Sequence, residues 1–92
     1  MAERKRLDFS ISFRRAYQQL PAEIQAKVDK QLRLFKNNPG HPSLKIHPIR
    51  GTDGIWEAYV DIHYRFTFEI HKDWYLFRMV GTHDILKKEA RR

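Results

Sequence analysis

The chain has 92 residues and no cysteine, with 18 Lys and Arg against 11 Asp and Glu for a formal net charge of +7. That length holds one domain rather than two, and the absence of cysteine excludes a disulfide framework and a thiolate metal site. No apolar run approaches the ~20 residues that cross a bilayer. The charged opening Met1-Ala2-Glu3-Arg4-Lys5-Arg6 has no signal-peptide core behind it. The expected setting is therefore the cytoplasm, without membrane attachment. A positive surplus on so small a body favours a polyanionic partner, through phosphate contacts and counterion release. Part of it sits at the ends, in Arg4, Lys5, Arg6, Lys87, Lys88, Arg91 and Arg92. Residues 1–6 and 86–92 are thus expected to be flexible basic ends of a single domain spanning residues 1–92.

In chain order, Leu7 to Ile11 reads as an edge strand. Phe13, Ala16, Tyr17 and Leu20 then recur at helical spacing, with Arg14, Arg15, Gln18 and Gln19 facing away. Ser10 or Ser12 caps this helix. Pro21 ends it and opens the next as its first residue. The second helix carries Ile24, Val28, Leu32 and Phe35 on one face, and Asn37-Asn38-Pro39-Gly40 stops it. From Ser43 the period changes to two. Trp56, Ala58, Val60 and Ile62 alternate with Glu57, Tyr59, Asp61 and His63. Tyr64, Phe66, Phe68 and Ile70 alternate with Arg65, Thr67 and Glu69. Trp74 to Thr82 is apolar on both sides apart from Arg78, the pattern of an interior strand. Turns fall at Gly51 to Gly54, Asp61 to Tyr64 and His71 to Asp73. The fold class that follows is α+β: two N-terminal antiparallel helices on one face of a curved, mainly antiparallel sheet of four to five strands. The other face is expected to be open.

Alternation gathers the chemically able side chains on that open face. Lys45 and His47 share one side of the first sheet strand, and Glu57, Tyr59, Asp61 and His63 one side of the next. Arg65 follows two residues after His63, and Gly81-Thr82-His83-Asp84 closes the last strand over the same face. Metal-independent RNA cleavage needs such a set. A base takes the proton of the 2′-hydroxyl, an acid protonates the leaving 5′-oxygen, and cations stabilise the phosphorane. Histidine suits both proton transfers, Arg and Lys suit the charge, and Tyr59 or Tyr64 suits base stacking. His41 and His71 read as loop residues. No histidine pair has metal-ligand spacing, and neither a nucleophile elbow nor a phosphate loop is present, so no cofactor is expected.

Asn37-Asn38-Pro39, Pro42-Ser43-Leu44-Lys45, Arg50-Gly51, Trp56-Glu57, Tyr64-Arg65 and Gly81-Thr82-His83-Asp84, in that order and spacing, resemble the RelE/ParE superfamily of toxins. The likeness runs over nearly the whole chain. In the C-terminal half, His47-Pro48, Gly54-Ile55-Trp56, Tyr59, Asp61, His63 and Gly81-Thr82-His83 are most similar to the YafQ-like branch. The resemblance puts His47, His63 and His83 where that branch has catalytic histidines. Tyr64-Arg65, a RelE-like pair, stands where YafQ-like members have Asp-Trp. Asp84-Ile85-Leu86-Lys87 stands where an aromatic follows the last histidine. RelE-like enzymes rely on Lys and Arg, which implies a catalytic Arg65 and RNA-binding Lys45, Arg50 and Arg78 beside Tyr59, Asp61 and Tyr64. The resemblance further implies the toxin of a type II toxin–antitoxin system, an endoribonuclease that cuts mRNA in the A site of the translating ribosome and is neutralised by a cognate antitoxin. Two alternatives share the fold: a ParE-like inhibitor of DNA gyrase, which needs no histidine cluster, and an inactive toxin-like binding module.

Overall fold

The structure, a computed structural model, describes residues 5–90. Strand β1 (Arg6–Phe9) leads into helices α1 (Ile11–Gln19) and α2 (Ala22–Asn37). A single 3-10 turn (Pro42–Leu44) and the strands β2 (His47–Pro48), β3 (Ile55–Tyr59), β4 (Tyr64–Ile70) and β5 (Trp74–Thr82) follow, and helix α3 (Ile85–Ala90) comes last. The sheet order is β1-β5-β4-β3-β2. β1 runs parallel to β5, and every other pair is antiparallel. This is the expected α+β class, with five strands and two N-terminal helices on one face.

The helices cover the sheet because their apolar stripes match its inward positions. Phe13, Ile24, Val28 and Phe35 pack with Ala58, Val60, Phe66, Phe68, Phe77 and Val80 in one buried cluster. Phe35 meets Phe68, Tyr75 and Phe77 edge-on at centroid distances of 5.0, 4.8 and 5.2 Å, the geometry aromatic quadrupoles favour. In β5 the register slips, with Thr67 opposite Met79 but Phe68 opposite Phe77. Arg78 is the extra residue of this bulge. The bulge lets both Phe77 and Val80 enter the core.

Local expectations hold with small shifts. Ser10 caps α1, its hydroxyl accepting from the Phe13 N–H at 2.9 Å. Pro21 is the N-cap of α2 rather than its first residue. The edge strand spans Arg6–Phe9, not Leu7 to Ile11, because capping by Ser10 starts α1 at Ile11. Ile62 belongs to a turn and not to β3, and it is exposed.

Two larger corrections concern the face expected to be open and the C-terminal end. Residues 86–90, expected within a flexible basic end, lie in α3. This helix covers part of the second sheet face and buries Ile85 and Glu89 there. Glu89 is the cause, since its carboxylate is bonded to the sheet through Thr67 and Arg78. At the other end Arg6 is part of β1 and the Lys5 ammonium donates to the His71 carbonyl at 2.8 Å. Residues 1–4 and 91–92 of those expected ends lie outside the described residues. Among the described residues, no helix is long and apolar enough to cross a membrane.

Candidate active site

With α3 seated over β4 and β5, the part of the second face left accessible belongs to β2, β3 and the β3–β4 turn. Lys45 follows the 3-10 turn in a left-handed conformation (φ 47°), one that non-glycine residues adopt at a cost and that tends to mark functional sites. Its ammonium lies 4.5 Å from the centre of the Tyr59 ring. The Arg65 guanidinium lies 4.7 Å from the same ring. Tyr59 and Arg65 are opposite each other in the β3–β4 register. One aromatic ring thus holds two cations beside it, each favoured by the ring quadrupole.

His47 is placed by two acceptors. Its Nδ1 donates to the Lys45 carbonyl at 2.8 Å, and its Nε2 meets Glu57 Oε1 at 3.1 Å. A carbonyl oxygen only accepts and so does a carboxylate. The carbonyl thus takes the Nδ1 proton, and the carboxylate stands within ion-pair distance of Nε2. Glu57 is 7% exposed and also lies 3.9 Å from Arg65 Nε. It is the centre of the cluster and was missing from the sequence-derived set. Alternation put it on the right side of β3, but only the register with His47 shows that it joins a histidine to an arginine.

Arg65 is fixed at its other end by Nη1, which donates to the carbonyls of Asp61 and Tyr64. His63 and His83 stand together beyond this turn. The His83 N–H donates to the His63 carbonyl at 3.0 Å, and both side chains are exposed. The structure thus brings Lys45, His47, Tyr59 and Arg65 into one contact chain through Glu57, with His63 and His83 paired at the turn end of β4 and β5. Arg50 is exposed on a groove of about 430 Å³ that it shares with His47, Glu57 and, from α3, Leu86 and Lys87.

Three other candidates have structural partners. Asp61 closes the β3–β4 turn: Oδ1 accepts from the N–H groups of His63 (2.8 Å) and Tyr64 (2.9 Å), and Oδ2 from Lys27 Nζ at 3.0 Å. Tyr64 packs against the helix-side core. Arg78 is clamped between Glu69 and Glu89. Glu89 first, and Glu69 after it, reinforce its positive charge against the effect of burial. The two loop histidines are turn residues. His41 Nδ1 accepts from the Ser43 N–H, and His71 stacks on Trp74 at 4.2 Å. Among the described residues, no three His, Asp or Glu side chains are grouped to hold a metal ion.

Compared by sequence, the chain matches no family model and no curated protein. Compared by structure, it is similar to the YafQ chain of the Escherichia coli DinJ-YafQ toxin-antitoxin complex, with a TM-score of 0.74 and 20% identity over 91% of this chain and 98% of that one. A YoeB/ParE toxin from Agrobacterium tumefaciens superposes at TM-score 0.71 and 20% identity, over 85% of this chain and 98% of that one. The RelB-RelE antitoxin-toxin complex of Methanococcus jannaschii gives 0.71 and 18%, over 88% and 95%. The likeness establishes architecture: this chain has the fold of the YafQ, YoeB/ParE and RelE toxins.

Proposed function

We propose that the chain is the toxin of a type II toxin–antitoxin pair and a metal-independent endoribonuclease that cleaves mRNA on the translating ribosome. The observation that carries this reading is the pair of cations, Lys45 and Arg65, held against Tyr59 beside the His47–Glu57 pair. A phosphodiester resting between the two cations has its developing charge met by groups already in place, so little reorganisation is needed during reaction.

The 2′-hydroxyl gives its proton to His83 or its neighbour His63, and the oxygen attacks phosphorus. The bond from phosphorus to the 5′-oxygen breaks, and that oxygen takes a proton from His47. The products are a 2′,3′-cyclic phosphate and a 5′-hydroxyl. His47 suits the donor role because the Lys45 carbonyl orients its ring and Glu57 Oε1 lies 3.1 Å from its Nε2. Two of the solved structures of this fold are complexes of a toxin with its antitoxin, which supports a cognate antitoxin as the protein partner here.

The test is to induce the wild type and the His83→Ala variant from a tightly closed promoter and map mRNA 5′ ends during growth arrest. Cuts at preferred codon positions in translated messages, lost in the variant, are the expected result. Arrest with intact messages would sink the ribonuclease reading and direct the work to DNA gyrase supercoiling. No arrest from the wild type would leave a binding module.

A further inference from the structure

A six-residue helix has no stability of its own in water, so contacts must hold α3 in place. Ile85 and Glu89, one turn apart, face the sheet and are 6% and 4% exposed. Ile85 Cγ2 lies 3.0 Å from the point where a Cβ on Gly81 would stand, and Ala90 approaches Gly51 in the same way at 3.7 Å. Between these two contacts the Glu89 carboxylate is sealed against the sheet. It accepts from Thr67 Oγ1 at 2.8 Å and from Arg78 Nε and Nη2 at 2.9 and 3.2 Å. Glu69 holds Arg78 from the other side. A buried carboxylate so fully bonded is costly to move, since lifting it strands Thr67 and Arg78 as well.

The same helix presents Leu86, Lys87 and Ala90 to the groove that contains His47, Arg50 and Glu57. Lys87 therefore joins Arg50 as a second cation on that groove, and its place depends on how α3 is seated. We infer that Glu89 is a positioning residue. Its buried carboxylate seats α3 on the sheet and so sets Lys87 in the groove wall, where the ammonium meets the RNA backbone. The RNA rests on the function proposed above, whereas the seating does not.

The test uses the full-length protein and a short single-stranded 2′-O-methyl RNA, which binds but offers no 2′-hydroxyl for attack. Affinity is measured across a salt series, and native-state tryptic cleavage after Lys87 and Lys88 is followed in parallel. Lys87→Ala is expected to bind several-fold more weakly and to lower the salt slope by about 0.7, the value of one single-strand phosphate contact. Glu89→Gln removes a negative charge, so charge alone predicts tighter binding; seating predicts the opposite. The variant is expected to reproduce the Lys87→Ala loss, to expose Lys87 and Lys88 to faster cleavage, and to add nothing to Lys87→Ala in the double variant. Gly81→Ala, which leaves every charge in place, is expected to speed cleavage after Lys87 and Lys88 by crowding Ile85. Because Gly81 lies opposite Arg65, cleavage and not affinity is its readout, and it answers the seating question if Glu89→Gln does not fold. Unchanged cleavage in both seating variants overturns the latch. Binding by Lys87→Ala equal to the wild type overturns the role of Lys87 while the ribonuclease reading stands. No RNA binding by the wild type overturns that reading and the role of Lys87 together, and the tryptic series still decides the seating.

Discussion

Alternation groups Asp61 with Glu57, yet Glu57 lies in β3 and Asp61 in the turn after it, and they serve different ends. Asp61 is a turn lock. Burial works against its charge, but the His63 N–H, the Lys27 ammonium and the Tyr64 N–H outweigh it and hold the carboxyl below its usual range. The folded state therefore binds fewer protons at Asp61 than the unfolded chain does. The stabilisation is complete above the unfolded value, about 3.9, and drains away as pH falls through the depressed folded value. Asp61→Asn is expected to be less stable than the wild type at pH 6, with the gap closing as pH drops below about 4. Urea midpoints for both proteins across that range check this, and a gap that ignores pH would leave shape rather than charge as the role of Asp61. Alternation placed both residues away from the helices, which holds for Glu57 but not for Asp61, whose carboxylate reaches Lys27 of α2. The sequence could not show depth or partners, which is why the buried bridge at Glu57 was missed while Arg78, already held by two carboxylates, was counted among the RNA contacts.

Elements were legible in proportion to their length. α1 and α2 announce themselves because an apolar residue every third or fourth position is repeated enough to be unmistakable. β2 has two residues and α3 six, too few for any period to accumulate, and the Lys87-Lys88 pair made the last stretch read as a charged end. Ser10 was legible as a cap, but its second bond was not. Its hydroxyl also donates to the Arg78 carbonyl at 2.8 Å, which ties the start of α1 to the bulge in β5. Ser10→Ala removes both bonds at once and is expected to cost about 1–2 kcal/mol. Equilibrium urea unfolding reads this as a lower midpoint at unchanged slope. A loss of a few tenths would mean that water replaces both bonds.

For the molecule as a whole, aromatic rings join the helices to the sheet. Phe35, 1% exposed and ringed by Phe66, Phe68, Tyr75 and Phe77, joins α2 to two strands. Phe35→Ala is expected to cost about 3–5 kcal/mol, a large share of the ~5–15 kcal/mol available to a typical domain. A melting temperature close to that of the wild type would show that the core collapses around the gap. The union of β1 with β5 was not legible, because nothing local records a partner so far away in the chain. Ser10 and Arg78, bonded just beyond the last β1–β5 pair, are 68 residues apart in sequence. That closure has a consequence for synthesis. While the chain is being made, α1 and α2 can form early, but β1 has no neighbour until residues 74–77 emerge. The groove wall on α3 comes later still. Until residues 74–77 have emerged the chain is helical without a closed sheet, and the groove is complete only once residues 85–90 have followed.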